Sequence, residues 1–147
     1  MPLREGALRQ GPFAYRLRRS HPVAHGWRFD HDPRGFFVGM DFRDEAAVIG
    51  EFAPMHEYFS TSPESGFVRV AVAQRRDAER AGILRGLVLS RIGPALSEAL
   101  VESQVEWFEA LADVFCITLA DVRKAERRQL WRRLVGAHEE FERAQSG

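Results

Sequence analysis

Arg91-Ile92-Gly93-Pro94 divides the chain into two textures. Gly followed by Pro is a strong breaker, because glycine admits backbone angles other residues avoid and proline cannot donate to a helix or a ladder. From Phe13 to Ile92 the sequence is strand-like, with turns marked by Gly, Pro and Asp. From Ser97 onward it is helical in pattern and free of proline. A run of strands followed by a run of helices defines the α+β class, with antiparallel strands, one inserted helix and two C-terminal helices.

Working outward from that break, Phe13, Tyr15 and Leu17 alternate with Ala14, Arg16 and Arg18, the period-2 pattern of a half-buried strand. Trp27 and Phe29 alternate with Arg28 and Asp30 in a second strand, and Asp32-Pro33-Arg34-Gly35 supplies a turn that returns the chain through Phe36 to Phe42. Ala46 to Phe59 carries helical apolar spacing at Val48, Phe52, Met55 and Phe59, with Pro54 a kink or break. Phe67 to Val72 is the strongest strand signal, and Ile83 to Ser90 is its expected antiparallel partner, joined through the polar segment Arg75 to Gly82. In the second half Leu100, Val101, Trp107, Phe108, Leu111 and Phe115 share one helical face. Thr118 to Asp121 has the form of a helix start, and Leu130, Trp131, Leu134, His138 and Phe141 continue a buried stripe along the last helix.

The 147 residues suffice for a sizeable core, and 45% hydrophobic with 29% charged residues describe a globular rather than a disordered chain. The formal net charge is zero, so no global field favours a nucleic acid or an anionic membrane. Lys124 is the only lysine, an arginine skew of the kind GC-rich bacterial genomes produce. No stretch approaches the roughly 20 apolar residues that span a bilayer, and the first ten residues carry no leader-like apolar segment, so a cytoplasmic location is expected.

Candidate chemistry is sparse. Cys116 is the single thiol, and it stands in Val114-Phe115-Cys116-Ile117 at the end of a helix, where the dipole disfavours a thiolate. A buried, inert cysteine is the expectation. His21, His25, His31, His56 and His138 form no metal pattern. Asp30-His31-Asp32 reads as a solvated turn, and His138 as a satisfied histidine on an apolar face. There is no Gly-x-Ser-x-Gly elbow, no Walker loop and no Gly-x-Gly-x-x-Gly fingerprint. The arginine pairs lack the aromatic interleaving of a single-strand binder.

The segment from Met55 to Phe67 is different, because it joins a helix to a strand through a hydroxyl-rich loop. Thr61, Ser62 and Ser65 together with the loop amides have two readings. They cap the chain, or they hold a phosphate or a pantetheine amide.

Tyr58-Phe59-Ser60-Thr61-Ser62-Pro63-Glu64-Ser65-Gly66-Phe67 resembles the Y-x-x-T-S-P-x-S-x-F stretch of the arylamine N-acetyltransferases. Pro2-Leu3 resembles the Pro-Leu that follows the family's Asp-Val-Gly-Phe-Gly segment. Gly11 to Tyr15 and Gly26-Trp27-Arg28-Phe29 are similar to the strands that come next. Trp107 to Phe115, followed by Ile117-Thr118-Leu119, resembles the family's C-terminal helix and the turn after it. The resemblance runs from about Leu3 to His138.

What it implies is ping-pong transfer of acetyl from acetyl-CoA to an arylamine or hydrazine, without a metal, through a Cys-His-Asp triad whose Arg-Gly-Gly-x-Cys motif does not occur here. No catalytic residue can therefore be carried over. Residues 1–45 would be the end of the family's β-barrel and 46–147 its C-terminal α/β lid, so that the strands are those of a partial barrel. Thr61, Ser62 and Phe67 would line the pocket or the CoA cleft. The resemblance implies a C-terminal part that is inactive alone and is completed by a separate N-terminal half. The alternatives are a CoA- or arylamine-binding module without the nucleophile, and an interaction protein or homodimer built on an open sheet edge at Phe13 to Leu17 or near Trp27.

Overall fold

The computed structural model describes residues 3–35 and 37–146. The readings made on Pro2 and Phe36 lie outside the described residues. The chain forms two four-stranded antiparallel sheets with helices after each, the mixed α+β architecture expected, and neither sheet closes into a barrel.

The first sheet has the order β1 (Gly6–Gln10), β2 (Phe13–Arg19), β3 (Trp27–Asp30) and β4 (Gly39–Phe42). Gly11, at φ 58°, makes the two-residue turn between β1 and β2. The turn presses on the second sheet so closely that a Cβ on Gly11 would lie 2.0 Å from the Ala78 carbonyl oxygen. On one face of this sheet Arg18 and Arg28 both reach Asp30, at 2.7 and 3.0 Å, and Arg28 also holds Asp41 at 2.6 Å. The arginines hold the Asp30 carboxyl below its ordinary value, while Ser20 first and Arg28 second do the same for Asp41.

The open edge expected at Phe13 to Leu17 is not there. β1 pairs along β2 from Gly6↔Leu17 to Gln10↔Phe13, and β3 is flanked on both sides. The short segment Leu8-Arg9-Gln10 had no strong alternation to announce β1, and pairing with β2 overrides that weak local preference.

After β4 come a 3₁₀ turn at Ile49–Phe52 and α1 (Ala53–Thr61). Pro54 begins this helix rather than kinking it, since its missing N–H is no loss in a first turn. α2 (Gly66–Arg69) follows, capped by Ser65, whose hydroxyl accepts from the Phe67 amide at 3.2 Å. The strand expected over Phe67 to Val72 is therefore displaced to β5 (Val72–Arg76).

The second sheet runs β5, β6 (Ala81–Arg85), β7 (Val88–Ile92) and β8 (Leu96–Leu100). The partner expected over Ile83 to Ser90 is two strands joined by a tight turn at Gly86-Leu87, with Gly86 at φ 57°. Gly93-Pro94 turns β7 into β8 rather than separating strands from helices, and Leu100 belongs to β8.

α3 (Gln104–Phe115) opens on a capping box in which Ser103 Oγ accepts from Glu106 N and Glu106 accepts from Ser103 N, each at 3.2 Å. It buries Trp107, Leu111 and Phe115 against Leu84 and Leu89 of the second sheet. Trp107 Nε1 donates to the Gly86 carbonyl at 2.8 Å, so its one polar atom is satisfied inside the core. α4 (Lys124–Gln145) starts later than Thr118-Asp121 suggested. It begins after Arg123, whose amide donates to Glu126 at 2.9 Å. Of its expected stripe only Leu134 is fully buried, and Phe141 is exposed. A second core of Phe13, Tyr15 and Ile92, with Ile83 and Phe29 around it, joins the two sheets.

Candidate functional site

A cleft of about 680 Å³ opens where α2 and the segment after it, the β6–β7 turn and α4 meet. Its apolar walls include Phe67, Val70, Leu87, Leu130 and Phe141. Around them stand the cationic side chains of Arg34, Arg69, Arg85 and Arg133, with His138 nearby and Glu98 as the carboxylate of the lining. Mixed apolar and cationic walls suit a ligand with an apolar body and anionic groups. His138 is half-buried; its Nε2 lies 3.3 Å from Glu142 Oε1, but the two are not aligned as a hydrogen bond.

Of the three residues singled out in the loop, Phe67 lines this cleft, with its ring tilted at 58° against that of Phe59 at 5.1 Å between centroids. Thr61 and Ser62 stand at the end of α1 and are not part of the cleft wall. Thr61 Oγ1 donates back to the Glu57 carbonyl at 2.7 Å, and Ser62 Oγ accepts from the Glu64 amide at 3.3 Å. The deepest hydroxyl is Ser65, 1% exposed, which donates to the Phe59 carbonyl at 2.9 Å while accepting from Phe67. Ser65 thus ties the end of α1 to the start of α2 and fixes the direction of the backbone that carries Phe67 into the cleft.

Asp32 corrects the reading of Asp30-His31-Asp32 as a solvated turn. It is buried and accepts from the Ala14 amide at 2.8 Å and from Arg34 Nε at 2.9 Å. The Arg34 guanidinium, with the Ala14 and Arg34 amides, holds the carboxyl far below the usual carboxylate range despite burial, which acts the other way. Arg34 also donates to the Gly93 carbonyl at 2.7 Å and to the Pro12 carbonyl. This ion pair therefore fastens the first sheet to the β7–β8 turn and places Arg34 at the rim of the cleft. Sequence spacing held no sign of it, because Gly93 lies far along the chain.

Cys116 also departs from expectation. It is exposed, in the left-handed conformation at φ 59° that ends α3, and Arg75 Nη1 lies 2.8 Å from its sulfur. Ending a helix in that conformation turns the side chain outward, away from the core that its apolar neighbours suggested. Among the described residues no group of three His, Cys, Asp or Glu side chains is placed to hold a metal ion. Among them, too, no helix is long and apolar enough to cross a membrane.

No family model and no curated protein matches the sequence. The arrangement of two antiparallel four-stranded sheets and helices is nevertheless shared with part of the fold of solved arylamine N-acetyltransferases. Among solved structures it is similar to the enzyme from Mycobacterium abscessus, with a TM-score of 0.75 at 22% identity over 91% of this chain and 49% of that one. It is similar to the Mycobacterium marinum enzyme, solved in complex with CoA, with a TM-score of 0.73 at 23% identity over 90% and 48%. The Mycobacterium tuberculosis enzyme gives 0.72 at 20% identity over 90% and 49%. The chain spans about half the length of the solved structures it matches.

Proposed function

We propose that this chain is the CoA-handling, C-terminal part of an arylamine N-acetyltransferase, acting in the cytoplasm on acetyl-CoA and an arylamine or hydrazine. The observation that carries the reading is the cleft at Phe67 in a chain whose fold matches these enzymes over nine-tenths of its described length, one of them solved with CoA. Residues 1–45 serve as the end of the barrel and 46–147 as the lid. An apolar wall at Phe67 suits the pantetheine arm, and Arg69 and Arg133 suit phosphates, since guanidinium groups bind phosphate oxygens in pairs. Thr61 and Ser62, through their bonds to Glu57 and Glu64, hold the turn that leads from α1 to Phe67 and so act on the cleft through the backbone that carries Phe67.

The nucleophile of such an enzyme is not Cys116. Acyl transfer needs a base to take the thiol proton, and among the described residues the hydrogen-bond partner of Cys116 is Arg75, whose guanidinium is already protonated and cannot take another. The chain alone accordingly binds the co-substrate without turning it over.

Calorimetric titration with CoA tests this reading. The wild-type chain gives saturable binding, Phe67→Ala weakens it by about tenfold or more, and Thr61→Ala/Ser62→Ala weakens it by about threefold. An isotherm that never saturates, or one indifferent to both variants, overturns it.

A further inference from the structure

Part of the cleft wall is the face of the second sheet turned away from α3. Strand pairing sets Ile83 beside Ser90 and Ser90 beside Glu98, and it sets Ile92 beside Leu96 in the next row. Side chains two apart on a strand share a face. These five residues therefore lie opposite Leu84 and Leu89, which pack on α3, and all five line the cleft. The rows are apolar except for one polar pair. Ser90 Oγ donates to Glu98 Oε1 at 2.8 Å, from one strand to its neighbour.

That pair is built to accept. A carboxylate takes hydrogen bonds and has none to give. Ser90 fills one oxygen, and among the described residues no cation pairs with Glu98, although four arginines line the same cleft. Oε2 is left without a protein partner on an exposed side chain, two residues along the strand from Leu96, itself 52% exposed. The surroundings choose what Oε2 meets. An anion is repelled by Glu98 itself. A cation is drawn to Glu98 but repelled by Arg69 and Arg133 of the same cleft, while Arg34 is neutralised by Asp32. An uncharged N–H donor on an apolar ring meets neither repulsion, and its ring covers Ile83 and Leu96. Aromatic amines are of this kind, because the ring delocalises the nitrogen lone pair and leaves the amine unprotonated at neutral pH.

We infer that Glu98, held by Ser90, is the residue that selects the acceptor: its free oxygen takes an N–H of an uncharged arylamine or hydrazine whose apolar body lies on Ile83 and Leu96. The inference rests on the acetyltransferase reading for the use made of the amine, and it adds the side chain that recognises it. Ser90 acts as a positioning residue, because its bond to Oε1 fixes where Oε2 points.

The test titrates the whole chain with three probes of similar shape, followed by backbone amide NMR spectra. They are para-anisidine, an uncharged arylamine, para-methylanisole, its isostere without an N–H, and para-methoxybenzylamine, a cation. Anisidine binds about tenfold more tightly than either of the others, with the largest shifts at the amides of Ser90 and Glu98. Glu98→Leu erases that preference and leaves methylanisole binding within about twofold, and Ser90→Ala lowers the preference to about threefold. A damaged fold would lower all three affinities together, so the ratio is the readout. Should Glu98→Leu not fold, Ser90→Ala and Glu98→Gln, which keeps the shape and loses the charge, make the same comparison. Equal binding of anisidine and methylanisole by the wild type overturns the inference, as does tighter binding of the benzylamine or a preference that survives Glu98→Leu. Shifts centred away from β7 and β8, or no binding of any probe, overturn it as well. The CoA titration turns on Phe67 and the Thr61–Ser62 pair, so the two readings fail separately. An amine preference without CoA binding keeps Glu98 and removes the CoA reading, and the converse does the opposite.

Discussion

Helices α1 and α3 carry apolar residues at the same helical spacing and end in different surroundings. α3 buries Trp107, Leu111 and Phe115 on the second sheet, while α1 and the 3₁₀ turn before it leave Phe52, Met55 and Phe59 at the surface. The spacing shows that a helix has a face to bury, and what covers that face is settled by the rest of the fold. For α3 the cover is the inner row of β6 and β7, with Leu84 and Leu89. For α1 no sheet stands opposite among the described residues, and its neighbours are the 3₁₀ turn and α2.

The comparison can be broken by mutation, starting with the largest effect. Trp107→Ala removes a buried indole and its hydrogen bond to Gly86, and should cost about 3–5 kcal/mol in denaturant unfolding. Phe52→Ala, in the 3₁₀ turn that leads into α1, should change the stability of the isolated chain by less than about 0.5 kcal/mol. A loss for Phe52→Ala as large as that for Trp107→Ala would mean that the face is already covered within this chain.

Between these extremes lies the ion pair joining the sheets. Asp32→Asn should cost about 3 kcal/mol, because it removes the charge facing Arg34 in a buried place. The sign with pH follows from the depressed carboxyl. Its stabilisation is fully present above the unfolded value of about 3.9 and is lost as pH falls below it toward the folded value. Unfolding followed at successively lower pH should show wild type losing stability more steeply than Asp32→Asn below about pH 4. Parallel curves would exclude this group as the source.

Smaller still is the cap of α3. Ser103→Ala should cost about 1 kcal/mol, read from the same unfolding curves. Cys116, exposed at the end of that helix, should react with a thiol reagent at similar rates before and after denaturation. Strong protection in the native protein would place it inside the core after all.

The class of fold was legible, and so were the parts with strong local signals. β2, β3 and the helix around Trp107 follow directly from alternation and helical spacing. What was hidden depends on contacts made far along the chain. β8 reads as helix because Leu96-Ser97-Glu98-Ala99-Leu100 has residues that suit one, and only pairing with β7 makes it a strand. Phe67 to Val70 reads as strand because of its valines, yet the Ser65 cap starts a helical turn there. Phe67 is singled out through the family resemblance of the loop, and it is one of the residues that line the cleft. The opposite wall, from Leu130 to Phe141, could not be read, because nothing local brings α4 to α2.

Hydrogen exchange of the isolated chain with and without CoA tests the central claim most directly, because it reports both whether the co-substrate binds and where. The account predicts slowed exchange at the amides of Phe67 to Ala71 and in α4 around Leu134 to His138, with no change along Ile49 to Phe52. Exchange unaltered by saturating CoA, or protection confined to the 3₁₀ turn and α1 face, would contradict it.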